Sequence, residues 1–304
     1  MNRFSLTCPA CSSGDIFDLG PISENLGTIS LADPGRIYRC DRCGLLFRRP
    51  FPSPSQLIDV YRTFPANYWN YTERRIDFDM AVQAIANLLS SGRILDVGCY
   101  RGDFLAMLPD RYQKYGIEPA KAAQEVARER GITLVGSFLE QVDPNSPQFH
   151  LITLLDVIEH LPRPMDALRR VEDLLLPGGF VIISTGNTDF PLWKLMRRDY
   201  WYYCPEHVTF TNRRWFDWAA KQLDLDIVRF KRISHTKGST FKKRRQLINC
   251  LLYKILEIIR PYPRFYNLIV YLYPFNRVKN WSFAPLADHL KDHMFIVLKS
   301  KRDS

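Results

Sequence analysis

The sequence predicts an α/β fold in which a largely parallel sheet is covered by helices on both faces. Three observations carry this prediction. From residue 93 onward, short apolar runs alternate with helical patterns. A glycine-bearing turn follows the first of these runs, and an acid closes the second run about twenty residues later, the spacing of an α/β nucleotide site.

The first run lies in 93–104, RILDVGCYRGDF, where Ile94, Leu95 and Val97 make a short strand that stops at Gly98 and Gly102. Phe104, Leu105 and Leu108 follow at helical spacing, so the turn is expected to open into a helix. Backbone N–H groups in such a turn point at whatever lies above it, and the missing side chains let a ligand approach. A plain structural turn would leave the same trace. QKYGIE, ending in Glu118, reads as the second strand, with its acid where a ribose-binding carboxylate sits in nucleotide sites. ITLVGS, HLITLLDVIEHL and GGFVIIST read as the third to fifth strands, and AKAAQEVARER and MDALRRVEDLLL as helices between them. Helices of this length imply right-handed crossovers, with ligand at the carboxyl ends of the central strands. The alternating run at 225–233 and HMFIVLKSK near the C-terminus read as the sixth and seventh strands.

DVGCYRG, YGIEP, LLDVIEHLPRP and LLLPGGFVIIST, in this order across roughly residues 75–235, resemble the class I S-adenosylmethionine-dependent methyltransferases. The nearest groups modify sugars, small molecules and quinone-like lipids. The resemblance implies a Rossmann-like seven-stranded sheet whose seventh strand runs antiparallel at the edge. It also implies S-adenosylmethionine as cofactor, with the turn of Asp96, Gly98, Cys99, Tyr100 and Gly102 against its methionine part. Glu118 would bind the ribose hydroxyls, and Asp156 and Val157 would close the site beside the sulfonium. Tyr100 stands where the family usually carries a third glycine, so its ring must fold over the ligand or point to solvent.

Ahead of this region, Cys8 and Cys11 (CPAC) match Cys40 and Cys43 (CDRCG) as two C-x2-C knuckles. Four thiolates close a tetrahedron around zinc, and a site filled by protein ligands is structural. Gly44 suits the tight turn of a knuckle. Similar zinc-binding segments precede the main domain in some sugar-modifying relatives. Residues 1–50 are thus expected to form a zinc-ribbon-like module, and the proline-rich start of 51–72 a linker. Tyr61, Phe64, Tyr68, Trp69 and Tyr71 in that linker suit a lid or a packing surface equally. A helix is expected over about residues 73–89, and the methyltransferase domain over 73–304.

On the acceptor side, Asp156, Glu159 and His160 fall where the fourth strand meets the rim, and His160 reads as orienting the loop under the cofactor. After the fifth strand comes DYWYYCPEHVTF, and a PEH-x-x-x-F element is frequent in the resembling family, where this loop closes over the acceptor. His207 is the candidate base, because imidazole titrates near neutrality. Hydrogen bonding to the following helix, expected to start at Thr211, is the alternative. Tyr203 and Glu206 are weaker catalytic candidates. Cys99, Cys204 and Cys250 are scattered and read as isolated thiols.

An insertion at about residues 236–290 separates the last two strands. The chain of 304 residues carries a net charge of +10, yet residues 227–280 hold thirteen Lys or Arg against Glu257 alone. The basic character is local. Within it, Leu247, Ile248, Leu251, Leu252, Ile255, Leu256 and Ile259 form an apolar stripe headed by Lys242, Lys243, Arg244 and Arg245. Such a segment suits an anionic membrane surface, or a helical cap with its charges in water. Neither a leader's apolar core nor a bilayer-length apolar run is seen, so a cytoplasmic protein, soluble or peripheral at the inner membrane face, is expected. Three functions compete. A methyltransferase for a small-molecule acceptor, such as a sugar, glycan precursor or lipid-linked intermediate, leads. An RNA methyltransferase gripping RNA through the zinc module and the basic insertion is disfavoured, because strand four ends in DVIEH and not in an Asn/Asp-Pro-Pro-aromatic element. A non-catalytic binding module has only Tyr100 to suggest it.

Overall fold

In the computed structural model, residues 6–22, 34–51, 53, 75–143, 148–281 and 285–302 are described. The aromatic residues of the 51–72 segment named above lie outside them. The chain begins with three antiparallel strands, β1 (Ile16–Pro21), β2 (Arg36–Cys40) and β3 (Leu46–Arg49). Helix α1 (Ile76–Leu88) leads into β4 (Gly92–Val97), α2 (Asp103–Ala106), β5 (Tyr112–Ile117), α3 (Lys121–Glu129) and β6 (Thr133–Gly136). Next come β7 (Phe149–Leu155), α4 (Pro164–Asp173), β8 (Leu175–Gly186), α5 (Pro191–Met196), β9 (Thr209–Phe210) and α6 (Arg213–Gln222). The chain closes with β10 (Leu225–Ile233), α7 (Thr240–Ile259), α8 (Pro263–Ile269) and β11 (His293–Ser300).

Seven strands form the main sheet in the order β10-β11-β8-β7-β4-β5-β6. Strands β6, β5, β4, β7 and β8 are mutually parallel, and β11 runs antiparallel to both its neighbours. This is the Rossmann-like arrangement expected, with one correction. The seventh strand does not lie at the edge but between β8 and β10. Its residues are buried on both faces except Lys299, which an edge position would leave half wet. The sixth strand, in which Arg229, Lys231 and Arg232 face water, takes the edge instead and is protected there by its charges.

The glycine turn opens into helix α2 as expected, and the helix lasts a single turn, because Pro109 follows Leu108 and restricts the residue before it. One helix start is corrected. Helix α6 starts at Arg213 and not Thr211, because Asn212 caps it by accepting from Trp215 N at 2.9 Å. The Asn212 amide also donates to Gly44 O at 3.0 Å. Asn212→Ala should therefore cost about 2 kcal/mol in denaturant unfolding, combining a lost cap with a bare carbonyl.

The cysteine segment is built into the rest. Strand β9 pairs with β3, so a strand from the far side of the chain completes a four-stranded N-terminal sheet. Cys8, Cys40, Leu45 and Phe47 share one apolar cluster with Trp215, Phe216 and the sheet residues Val97, Ile117 and Ile183. The insertion before β11 packs Cys250 and Tyr253 of α7 against Trp193, Tyr200 and Tyr203. Among the described residues, no helix is long and apolar enough to cross a membrane.

Candidate active site

The turn after β4 and the tip of β5 meet. Asp96 pairs with Gly116 across the two strands, and Gly98 N and Cys99 N both donate to Ile117 O, at 2.8 and 3.0 Å. The chain then turns through left-handed conformations at Gly98 (φ +72°), Tyr100 (φ 48°) and Gly102 (φ +79°). A Cβ on Gly98 would stand 2.9 Å from Val157 Cγ2, and one on Gly102 would lie 2.0 Å from Ile132 Cδ1. Tyr100 holds a conformation that strains a bulky side chain. Its N–H donates to Glu118 Oε2 at 2.8 Å, while Ala120 N donates to Glu118 Oε1 at 2.8 Å. Glu118 thus ties the turn to the strand tip.

Asp96 is buried and accepts from Thr153 Oγ1 at 2.6 Å. Burial pushes its carboxyl up to about 7, with the Thr153 hydroxyl pulling the other way. Burial also raises Glu118, against the two backbone donors. In both groups desolvation outweighs the hydrogen bonds received. A ligand carrying positive charge and hydroxyl donors would restore their ionisation, and that is the chemistry of an adenosyl sulfonium with an amino acid tail. The residues fit that cofactor: Asp96 and the turn would face its cationic end, and Glu118 its ribose.

At the end of β7, Asp156 adopts φ 57°. Its Oδ2 accepts from Arg75 and from His235 Nε2, each at 2.8 Å. Burial opposes ionisation here, but Arg75 and then His235 overcome it and hold the carboxyl well below the usual range. Arg75 is itself seated on buried Asp77. Beside this group, His293 Nδ1 lies 2.8 Å from Asp292 Oδ1, and the His235 and His293 rings are 5.0 Å apart. Burial disfavours charge on His293, yet Asp292 raises its pKa to about 9. Asp292 also accepts from Tyr200 Oη at 2.7 Å and Trp201 Nε1 at 3.2 Å. Arg75, His235, Asp292 and His293 had no sequence motif to mark them. The only trace was the Asp-His dipeptides at 288–289 and 292–293.

The loop after β8 carries the other candidates. His207 is buried, its ring 4.3 Å from that of Tyr202 and 4.7 Å from that of His160. His207 Nδ1 lies 2.9 Å from Tyr202 O, and His160 Nδ1 lies 3.2 Å from Glu206 O. A carbonyl only accepts, so each Nδ1 carries a proton, and in a neutral ring Nε2 then keeps the lone pair. Burial, then His160, depress the His207 pKa far below its ordinary value, against the pull of the Tyr202 carbonyl. The ring is neutral at neutral pH, the form a base requires. Glu159 accepts from Tyr202 Oη at 2.5 Å and Thr185 Oγ1 at 3.0 Å, which fixes the wall behind His207. Glu206 is buried in the same loop. The Tyr203 ring packs on Trp193 and Phe210, within the aromatic cluster.

Arg48 of β3 holds this loop from the N-terminal side. Its buried guanidinium donates to Tyr203 O, Cys204 O and Pro205 O at 2.6, 2.9 and 2.7 Å. Burial draws Arg48 down to about 10, which leaves it charged at neutrality. Behind it, the sulfurs of Cys8, Cys11, Cys40 and Cys43 lie within 4.8 Å of one another. Cys8 and Cys43 are 3.6 Å apart and Cys11 and Cys40 3.5 Å, too far for disulfides. Zinc–sulfur bonds of about 2.3 Å in a tetrahedron space sulfurs by about 3.8 Å, so the donor set fits a zinc ion with no open position.

A family profile described as "Methyltransferase domain" matches residues 68–229. The chain is 30% identical over 131 residues to a ubiquinone biosynthesis O-methyltransferase of Histophilus somni, covering 38% of this chain and 53% of the relative. The protein of the same name from Alkalilimnicola ehrlichii is 34% identical over 117 residues, covering 36% of this chain and 47% of its own. The chain spans about half the length of the curated relatives it matches. A solved S-adenosylmethionine-dependent methyltransferase from Thermotoga maritima, a possible histamine N-methyltransferase, aligns with a TM-score of 0.48 at 15% identity, over 80% of this chain and 99% of that one.

Proposed function

Because this chain belongs to the methyltransferase-domain family, and within it to the class I S-adenosylmethionine-dependent enzymes, we propose that it methylates a small-molecule acceptor. The acceptor is a sugar, a glycan precursor or a lipid-linked intermediate. The carrying observation for methyl transfer is the joint between the glycine turn and Glu118, with desolvated Asp96 beside it. For the lipid-linked acceptor, support comes from the apolar, basic insertion packed on the acceptor loop. Such an acceptor brings the protein into peripheral contact with an anionic membrane, on the cytoplasmic side.

Bound S-adenosylmethionine supplies an electrophilic methyl group on a positively charged sulfur. Asp96 and Glu118 hold and orient the cofactor, and the Asp156–His235–Arg75 group forms a fixed wall beside it. His207 Nε2 takes the acceptor proton, because its Nδ1 proton is engaged by the Tyr202 carbonyl. Aromatic side chains around it exclude water, and alignment carries most of the rate. Glu206 and Tyr203 position the loop. In this reading residues 1–50 are a structural zinc module with Cys8, Cys11, Cys40 and Cys43 as ligands, and residues 73–304 the catalytic domain.

The test uses methyl-labelled S-adenosylmethionine with three acceptor pools: extracted glycolipid, nucleotide sugars and RNA. Label in glycolipid or nucleotide sugar is expected, and label in RNA alone would overturn the acceptor class. His207→Ala should lower methyl transfer by roughly 10²- to 10⁴-fold. It should leave S-adenosylmethionine affinity intact, and unchanged turnover would remove His207 as the base. The depressed pKa places the acid limb of the wild-type pH profile below pH 6.5, the ordinary histidine value.

A further inference from the structure

Helix α7 is apolar on two sides, and among the described residues the domain covers only one. Cys250, Tyr253 and Leu256 are buried, and Lys254 Nζ anchors that side to Asp199 at 2.7 Å. On the other side Phe241, Ile248 and Ile255 recur every seven residues, two helical turns, and all three are exposed. The stripe continues past the helix through exposed Tyr262, Phe265 and Leu268. Phe241 is 72% exposed and Leu268 68%, large values for side chains of this kind. A helix of 20 residues extends about 30 Å, so the uncovered band is long as well as apolar.

The charge around the band selects its occupant. Lys242, Lys243, Arg244 and Arg245 stand in the first two turns of α7, and residues 227–280 hold thirteen Lys or Arg against one Glu. A second copy docking face to face would set these cations against their own kind. A nucleic acid would satisfy the cations but leave the aliphatic stripe in water. An anionic bilayer takes both, with the apolar stripe entering the headgroup boundary and Lys and Arg reaching lipid phosphates. Tyrosine at 262, 271 and 273, each exposed, suits that boundary, with an apolar ring and a polar tip.

We infer that the outward face of α7 and α8 docks this protein on an anionic membrane surface. The inference rests on the lipid-linked acceptor reading and adds the docking surface to it. Because the buried side of α7 packs on the Trp193–Tyr200 cluster, the docked bilayer lies beside the loop that carries His207.

The test is co-sedimentation of the full chain with phosphatidylcholine vesicles, and with vesicles carrying roughly one third phosphatidylglycerol. Binding is expected only to the anionic vesicles, weakening as salt rises. Two variants probe the two components: Lys242, Lys243, Arg244 and Arg245 all changed to Gln, and Ile248→Ser with Ile255→Ser. Each should reduce binding by roughly tenfold or more. Calorimetric titration with S-adenosylmethionine on each variant should match wild type, which shows that the fold and cofactor site are intact. No binding by wild type, or binding unchanged in both variants, overturns the inference. So does a wild-type dimer that the serine pair converts to monomer, or RNA binding tighter than vesicle binding. Wild type that binds S-adenosylmethionine but no vesicles tells against the docking surface alone. Failure of S-adenosylmethionine to bind wild type tells against the methyltransferase reading.

Discussion

On the proposed reading of residues 1–50 as a zinc module, Cys40→Ala should leave the protein without zinc, collapse the loop after β8 and leave S-adenosylmethionine binding in place. Cys40 is fully buried, and its sulfur lies 3.5 Å from that of Cys11. Without a dication, protons settle unevenly on Cys8, Cys11 and Cys43. Burial drives Cys11 up to about 12, and the bond it shares with Cys8 raises Cys43, while Cys8 falls to about 5 through the same bond. Structural zinc in small sites contributes about 10–16 kcal/mol of apparent binding energy, which is folding energy for the segment around it. That segment reaches the loop at two points, the β3–β9 pairing and the Arg48 guanidinium. Neither link is made to the cofactor turn itself, which meets the segment only through Val97 and Ile117 in the shared apolar cluster. The measurements are zinc content by mass spectrometry, unfolding temperature, methyl transfer and calorimetric S-adenosylmethionine titration. Arg48→Met separates the two links: zinc is retained, but three carbonyls lose a charged donor, and about 3–5 kcal/mol of stability goes with it. Full methyl transfer by Arg48→Met would show that the loop is held by other contacts.

Glu118→Ala should weaken S-adenosylmethionine binding by roughly 10- to 100-fold, because on the proposed reading the ribose loses a charged acceptor. The same change strands the N–H groups of Tyr100 and Ala120, which Glu118 now satisfies. Asp96 adds a pH signature. Its pKa stands near 7 in the free protein, so it is mostly protonated at pH 6 and mostly ionised at pH 8. A cationic ligand binds the ionised form, so affinity should fall about tenfold per unit below pH 7 and level off above pH 8. Near pH 6 binding should release about one proton, read as a buffer-dependent enthalpy. Asp96→Asn should bind weakly at every pH and release no proton. Equal affinity at pH 6 and pH 8 in wild type would place the cation elsewhere.

The parts of this site that could be read in advance are those written in consecutive residues. The β4 strand, its glycine turn and the acid at Glu118 lie within one short segment, and a C-x2-C pair declares itself by spacing. The β10 strand is as expected at both ends, because its alternation reports a half-wet edge. Other features depend on segments that meet only in the folded chain. Asp156 is held by Arg75 and His235, some eighty positions to either side, and a single histidine carries no pattern of its own. Strand β9 has two residues, too few to show any periodicity. Arg48 reads as one more basic residue until its burial against the loop carbonyls is seen. The place of β11 inside the sheet was hidden because a continuous apolar run shows that a strand is covered, not which strands cover it.

The pairing of β9 with β3 bears on how the protein can be dissected. A truncation that removed the first fifty residues would not release a self-sufficient catalytic core. It would strip the covering from Trp215 and Phe216 and leave the 209–210 backbone as an orphaned sheet margin, a template for aggregation.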